Sequence, residues 1–205
     1  MSVNPNSKDA SSMPIGKLEG FVLRWRAKAL LFVGMKEQAA DIFKGILTRS
    51  PDDVHALNSL AYAALQSNHP AQAIDFFEKV AKLTPELSNA QFNFAFVCEV
   101  LGRLPEAETA FRKAIALEDK MDRAWYGLGL VLVRLGRMDE AIVALKRNTA
   151  LQPMSPFGWY QLARVHVELK QPEEARTVIL HLKGFEPKVA AQLERETGLK
   201  VPNLI

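Results

Sequence analysis

The chain has 205 residues, a formal net charge of +3 at pH 7 and one cysteine. A net charge this small, with Lys and Arg interleaved among acids, does not favour a nucleic-acid partner. A single cysteine excludes a framework of internal disulfides and is typical of a reducing compartment, so we expect a cytoplasmic protein. No stretch approaches the roughly 18 apolar residues that cross a bilayer, so no membrane insertion is expected.

The first segment, residues 1–17, is polar and rich in Ser, Asn and Pro. No apolar stretch follows Met1 that could serve as a secretory signal. We therefore predict that residues 1–17 form a disordered lead-in.

From about residue 20 onward, two amphipathic helical patterns separated by a turn recur every 34 residues. Trp125, Leu128, Gly129 and Leu132 show the helical spacing of i, i+3, i+4 and i+7. The predicted units span residues 20–53, 54–87, 88–121, 122–155 and 156–189. The turn positions are Gly34, Asn68, Gly102, Gly136 and Lys170, and the small and large apolar positions of the second helices are Ala39, Ala73, Ala107, Ala141 and Ala175, and Phe43, Phe77, Phe111, Leu145 and Ile179.

The two ends of the repeated region depart from this pattern. In the first unit Arg26 stands at an otherwise apolar place, and we expect it to face water because no unit precedes it. After the fifth unit, residues 188–197 form an amphipathic pattern that predicts a capping helix with charges outward, ended by Gly198. Residues 199–205 either pack back on the body or extend away from it, and both readings stay open.

The repeated residues resemble those of the tetratricopeptide repeat (TPR) family, whose units are 34-residue helix–turn–helix motifs. This resemblance implies an all-α fold, a right-handed α-solenoid, or superhelix, of five units plus the C-terminal capping helix. It makes residues 18–198 one solenoid domain. It leaves the function open, because unrelated proteins use the same scaffold.

Catalytic and metal-binding patterns do not occur in the sequence. The four histidines show no ligand spacing with one another or with Cys98, and no phosphate-binding loop or nucleophile motif is present. We interpret Gly127 and Gly129 as sites of close helix packing. We therefore expect a protein that is not an enzyme and that needs no cofactor or metal.

By resemblance to TPR proteins, the first helix of each unit lines a concave groove. The predicted groove is aromatic with basic residues along it, and these are residue types that concentrate binding energy. The alternative, that the rings pack between neighbouring first helices as core, is left open. The predicted groove residues are Arg24, Lys28, Asn58, Tyr62, Asn89, Phe92, Phe96, Arg123, Tyr126, Leu130, Tyr160 and Arg164.

The leading functional hypothesis is a non-enzymatic module, a TPR adaptor, scaffold or chaperone, that binds a peptide or helix of a partner protein in this groove. The basic residues favour a partner segment that is acidic or bears a carboxylate. The alternative hypothesis is a self-assembling scaffold, a homo-oligomer within a larger complex. An enzyme or a nucleic-acid binder ranks below both.

Overall fold

The computed structural model describes residues 15–202, which contain eleven α-helices and no strand. The predicted all-α class is therefore confirmed. Residues 1–14 of the predicted lead-in and residues 203–205 of the tail lie outside the described residues. The helices are α1 (Lys17–Phe32), α2 (Lys36–Arg49), α3 (Val54–Gln66), α4 (Pro70–Leu83), α5 (Ser88–Val100), α6 (Leu104–Leu117), α7 (Asp122–Arg134), α8 (Met138–Leu151), α9 (Pro156–Glu168), α10 (Pro172–Lys183) and α11 (Pro187–Thr197).

The helices fall into two compact units that divide after Pro85. The first unit contains α1 to α4, and each of these helices packs on its neighbours in sequence. The second unit contains α5 to α11, and it shows the same sequential packing. In the second unit α7 also contacts both α5 and α9, and α11 contacts both α9 and α10, so the first helices of successive repeats lie side by side.

The turns inside the repeats share one backbone conformation. All five predicted turn positions have a positive φ, from 57° at Lys170 to 83° at Gly34. A positive φ ends a helix at little cost only when the residue lacks a Cβ, or for Asn. Lys170 therefore adopts a conformation that its side chain disfavours, and the 34-residue register imposes it.

The repeated apolar positions form the cores of the two units. The five alanines at the small position are all fully buried, and so are Phe43, Phe77, Phe111, Leu145 and Ile179 at the large position. In the first unit, Phe43 clusters with Ala27, Ala56 and Leu60. The sequence register therefore correctly predicts which side chains enter the core.

Two glycines of α7 allow neighbouring helices to approach closely. A Cβ on Gly127 would lie 2.3 Å from Cζ of Phe111, which comes from α6. A Cβ on Gly129 would lie 2.8 Å from Cγ of Leu145, which comes from α8. The predicted packing role of these two glycines is confirmed.

The end of the chain packs back on the second unit. Leu193 of α11 is fully buried, and Gly198 ends that helix with a φ of 72°. The backbone N–H of Val201 donates a 2.9 Å hydrogen bond to Oε1 of Glu194, and Nζ of Lys183 donates to the Val201 carbonyl oxygen at 3.2 Å. Residues 199–202 thus lie against α10 and α11, so this described part of the tail packs back on the body.

The Glu194 carboxylate gives this contact a pH dependence. The hydrogen bond from Val201 and the nearby Lys183 ammonium hold the pKa of Glu194 below its ordinary value. A lowered pKa in the folded state stabilises the protein above the unfolded pKa, and that contribution is lost as the pH falls through the folded pKa.

We expect Glu194→Gln to lower the free energy of unfolding at pH 7 by about 1 kcal/mol, which is typical of one hydrogen bond. The difference from the parent should shrink as the pH falls from the ordinary glutamate pKa of about 4.3 through the lower pKa of folded Glu194, because the carboxyl group is neutral below that value. Urea unfolding across this pH range measures the effect. Glu174→Gln, on the exposed surface of α10, is the control and should show no such dependence. A difference that persisted unchanged in acid would contradict the assignment.

Candidate binding surface

Eight of the predicted groove residues lie on the first helices of the second unit, and none of them is buried. We call this set the α5–α7–α9 face. Its exposed members alternate with half-buried rings and one half-buried leucine. The exposed residues are Asn89, Phe96, Arg123 and Arg164, and the half-buried residues are Phe92, Tyr126, Leu130 and Tyr160.

Guanidinium groups lie over aromatic rings at two places on this face. Cζ of Arg123 is 4.8 Å from the ring centroid of Phe92, and Cζ of Arg164 is 5.9 Å from that of Tyr160. Phe92 also stacks on Phe96 with 6.5 Å between ring centroids. Each cation is attracted to the ring beneath it. The arrangement holds two positive charges above a platform of aromatic carbon.

An acidic side chain lies at the centre of the face. Nη1 of Arg134 donates to the Glu99 carbonyl oxygen at 2.9 Å and lies 3.6 Å from the Glu99 carboxylate. Burial raises the pKa of Glu99, and Arg134 only partly offsets this effect. Burial likewise raises the pKa of Tyr126, and the negative charge of Glu99 adds to that shift. This region therefore has little positive charge to spare, unlike the surroundings of Arg123 and Arg164.

The capping helix contributes a residue that the sequence reading placed in solvent. The Tyr160 hydroxyl donates a 2.6 Å hydrogen bond to Oε2 of Glu196, and Nε2 of Gln192 donates to Oε1 at 2.7 Å. These two hydrogen bonds, with Arg164 nearby, lower the pKa of Glu196. Glu196 is nevertheless exposed, as expected for the charges of α11, and the half-buried charge of that helix is Glu194. No periodic signal marks Glu196, because α11 lies outside the repeats.

A cleft of about 490 Å³ opens between α9 and α11 beside this hydrogen bond. Its wall combines the aromatic and basic residues of α9 with the acidic residue of α11. Protein carboxylate already occupies one edge of the cleft, next to Tyr160 and Arg164. The lining residues are Tyr160, Arg164, Val167, Glu168, Glu196 and Thr197.

The four predicted groove residues of the first unit are arranged differently. Nη1 of Arg24 lies 2.7 Å from Oδ2 of Asp53, and Oδ1 of Asp53 accepts the Ala56 backbone N–H at the start of α3. Arg24 therefore supports a helix cap. Asn58 donates to a carbonyl of its own helix at 3.0 Å.

Lys28 and Tyr62 are the other two predicted groove residues of this unit, and Arg24 lies beside Lys28 in a small cleft. Lys28 is exposed, and the cleft also contains Phe21 and His55. Tyr62 is half exposed, and its ring centroid lies 5.2 Å from that of the buried Phe77, with the two rings nearly perpendicular.

Among residues 15–202, no three His, Cys, Asp or Glu side chains come together in a way that could hold a metal ion. In the same range no helix has the length and apolar character needed to cross a membrane.

Comparison with known proteins gives a family and a fold. A family profile described as tetratricopeptide repeat matches residues 26–88 and 100–156. Among curated proteins none matches the sequence. Solved structures, in contrast, match along most of the chain.

Three of these structures illustrate the likeness. A MamA chain from Desulfovibrio magneticus RS-1 is 21% identical, with a TM-score of 0.74, over 89% of this chain and 98% of that one. YrrB, described as a TPR protein with an unusual peptide-binding site, is 18% identical, with a TM-score of 0.76, over 84% and 90% of the two chains. PilF of Pseudomonas aeruginosa is 19% identical, with a TM-score of 0.65, over 88% and 92%. Identities this low establish a shared fold and nothing finer.

Proposed function

Because this chain belongs to the tetratricopeptide repeat family, whose all-α solenoids are protein-interaction scaffolds and generally not enzymes, we propose that it is a non-enzymatic adaptor. Its α5–α7–α9 face binds a peptide or helix of a partner protein through an acidic or carboxylate-bearing segment. The observation that carries the proposal is the pair of guanidinium groups held over half-buried aromatic rings, Arg123 on Phe92 and Arg164 on Tyr160.

The rings supply the apolar part of the binding energy. Contact between aromatic carbon and water is unfavourable, and this face presents such carbon on Phe92, Phe96 and Tyr160. Aromatic residues are also enriched at the interface positions that contribute most of the binding energy. Phe92 also rests on the buried Phe111, with ring centroids 5.9 Å apart, so part of the platform is fixed by the core. Because these side chains are already fixed before binding, they lose less conformational entropy when a peptide binds.

The guanidinium groups supply the preference for an anion. Arg binds carboxylates through paired N–H donors, and such charge-assisted hydrogen bonds are stronger than neutral ones. Glu196 supports this chemistry, since a protein carboxylate already accepts from Tyr160 and lies close enough to Arg164 for its pKa to fall. A partner's acidic side chain or terminal carboxylate could bind the guanidinium group of Arg164, which lines the adjoining cleft.

Reversing the charge at Arg123 and Arg164 tests the proposal. Both residues are exposed, so Arg123→Glu/Arg164→Glu should leave the helical content and the melting temperature of the protein nearly unchanged. We expect binding of short acidic peptides with a free C-terminal carboxylate to weaken at least about thirtyfold, the loss expected for one hot-spot contact. Fluorescence anisotropy with labelled peptides measures the dissociation constant.

Two controls make this result specific. Lys113→Glu makes the same kind of charge change on the exposed surface of α6, a second helix, and should leave the affinity unchanged. Peptides with Lys in place of the acids and an amidated C-terminus should not bind the parent. Equal loss of affinity in Lys113→Glu would show that net charge, and not this face, controls the binding.

Roles as a chaperone or as a larger scaffold use the same surface, and we include them in the proposal. The sequence has one cysteine, and we propose the cytoplasm as the location because a chain that can form no internal disulfide is typical of a reducing compartment.

A further inference from the structure

Helix α1 carries a row of apolar side chains that points away from the core of the first unit. Their spacing alternates between four and three residues, and we call this row the α1 seam. The opposite side of the helix is buried through Gly20 and Ala27. The seam consists of Leu18, Val22, Trp25, Ala29 and Phe32, of which Leu18, Val22, Trp25 and Phe32 are 76%, 53%, 67% and 92% exposed.

This spacing is that of a helix that pairs with another helix. Apolar residues repeating at alternate intervals of four and three form the contact line of a coiled coil. A surface helix that met only water would carry polar residues along this line. An apolar strip of this size on an otherwise folded protein marks an interaction site.

The repeat register shows which kind of contact the seam cannot make. One repeat later, Val22 and Trp25 correspond to Ala56 and Ser59, and three repeats later Trp25 corresponds to Gly127. At these places small residues allow the second helix of the preceding repeat to approach, as Phe111 does at Gly127. The large side chains of α1 leave no such gap. The seam is therefore unsuited to receive one more repeat and suited to a peripheral helix pair.

We propose that the seam binds the α1 seam of a second copy of this chain, with the two helices antiparallel about a two-fold axis. The charges beside the seam favour this occupant. Glu19 lies in the first turns of α1, and Arg26 and Lys28 lie further along, all three exposed. Glu19 and Arg26 lie on the same flank of the seam, so antiparallel pairing places Glu19 of one copy near Arg26 of the other. Glu19 also accepts hydrogen bonds from Arg49 of α2, which fixes its position beside the seam.

The chain that precedes the helix is a poor alternative occupant. Residues 1–14 read MSVNPNSKDASSMP and contain four serines, two asparagines and two prolines, and their few apolar residues do not form a row at alternate intervals of four and three. Such a segment offers nothing that matches the seam.

The expected dimer is weak. The helix has 16 residues, so two antiparallel copies overlap over roughly 24 Å. The exposed seam presents roughly 500 Å² on each copy, judged from the area that buried aromatic residues contribute. An interface of about 1,000 Å² in total lies at the lower limit of specific association. We therefore expect a dissociation constant in the micromolar range, visible as a mass that rises with concentration.

Sedimentation velocity on the full chain, over a wide range of concentration, tests the proposal. The parent should approach the mass of a dimer, and Trp25→Glu should stay a monomer at every concentration. Val143→Glu is the matched control, because Val143 is 64% exposed on α8, and it should dimerise like the parent. Circular dichroism establishes that each variant is folded.

A mixing experiment identifies the occupant of the seam. Trp25→Glu and Trp25→Lys should each be monomeric alone and should form a mixed dimer together, since the two seams then carry opposite charges. A parent that stays monomeric throughout overturns the proposal, and so does a mixture that fails to associate, which would mean that the seam contacts a different surface. A parent that dimerises only after residues 1–14 are deleted would assign the seam to that segment instead.

The seam lies outside the α5–α7–α9 face, so the two proposals can fail separately. Trp25→Glu should bind acidic peptides with the affinity of the parent. Loss of dimerisation with intact peptide binding supports the seam, whereas loss of both would indicate a global effect of the substitution.

Discussion

Replacing Gly127 with alanine is expected to lower the free energy of unfolding by about 2 kcal/mol, although alanine favours helices over glycine. The added Cβ would lie 2.3, 2.6 and 2.9 Å from three atoms of the Phe111 ring, closer than carbon atoms approach each other. Phe111 is itself fully buried, so the ring cannot turn away without disturbing the core. Urea unfolding measures the loss.

Gly45→Ala is the matched control for this substitution. Gly45 also lies within a helix, α2, but a Cβ there would meet no atom within 4 Å. We expect that variant to gain about 0.5–1 kcal/mol, because only the helical preference changes. Phe111→Leu should relieve part of the loss when it is combined with Gly127→Ala. Equal stability of Gly127→Ala and the parent would show that α6 and α7 do not approach as closely as described.

The second large effect is expected at Leu193, which joins the capping helix to the core of the second unit. Leu193→Ala should cost about 3 kcal/mol, since it removes a fully buried leucine side chain and leaves a cavity. Leu193 clusters with Ile179 and Leu182 of α10, so the loss should appear in the unfolding of the C-terminal repeats. Hydrogen exchange of the amides in α10 and α11 locates the effect along the chain.

The neighbouring Val189 provides the comparison. It is only partly buried at the edge of the same cluster, and Val189→Ala should cost markedly less than Leu193→Ala. If the two variants were equally stable, the interpretation of α11 as a cap would be wrong. A loosened α11 should also weaken the hydrogen bond between Tyr160 and Glu196, and the resulting fall in the pKa of Tyr160 is measurable by ultraviolet titration.

The parts of the fold that repeat could be predicted from the sequence. A 34-residue period places every unit in the same environment, so Ala141 and Ala175 enter the core for the same reason as Ala39. The period even predicts the turn at Lys170, where the residue type alone would not suggest a positive φ. Each repeated contact has the same residue pattern in several units, so the contact can be predicted from the sequence.

The contacts that occur once could not be predicted in this way. Arg24 pairs with Asp53 at a helix start, and Glu196 pairs with Tyr160 across two helices. Each pair depends on the position of one particular side chain, and no repeated pattern in the sequence predicts it. The apolar row on α1 follows a helical spacing, but spacing alone does not tell whether another helix covers its residues.

The position of Cys98 allows the local opening of the protein to be measured through its own thiol. This residue is the chain's sole cysteine, and it is fully buried in α5, two residues after the exposed Phe96. A thiol reagent reaches a buried sulfur only when the surrounding structure opens, so the labelling rate at low reagent measures how often that happens. A ligand bound to the aromatic rings of the α5–α7–α9 face would slow the labelling of the thiol in proportion to its occupancy. Occupancy could then be followed by mass spectrometry on the unaltered chain, with no dye or tag attached.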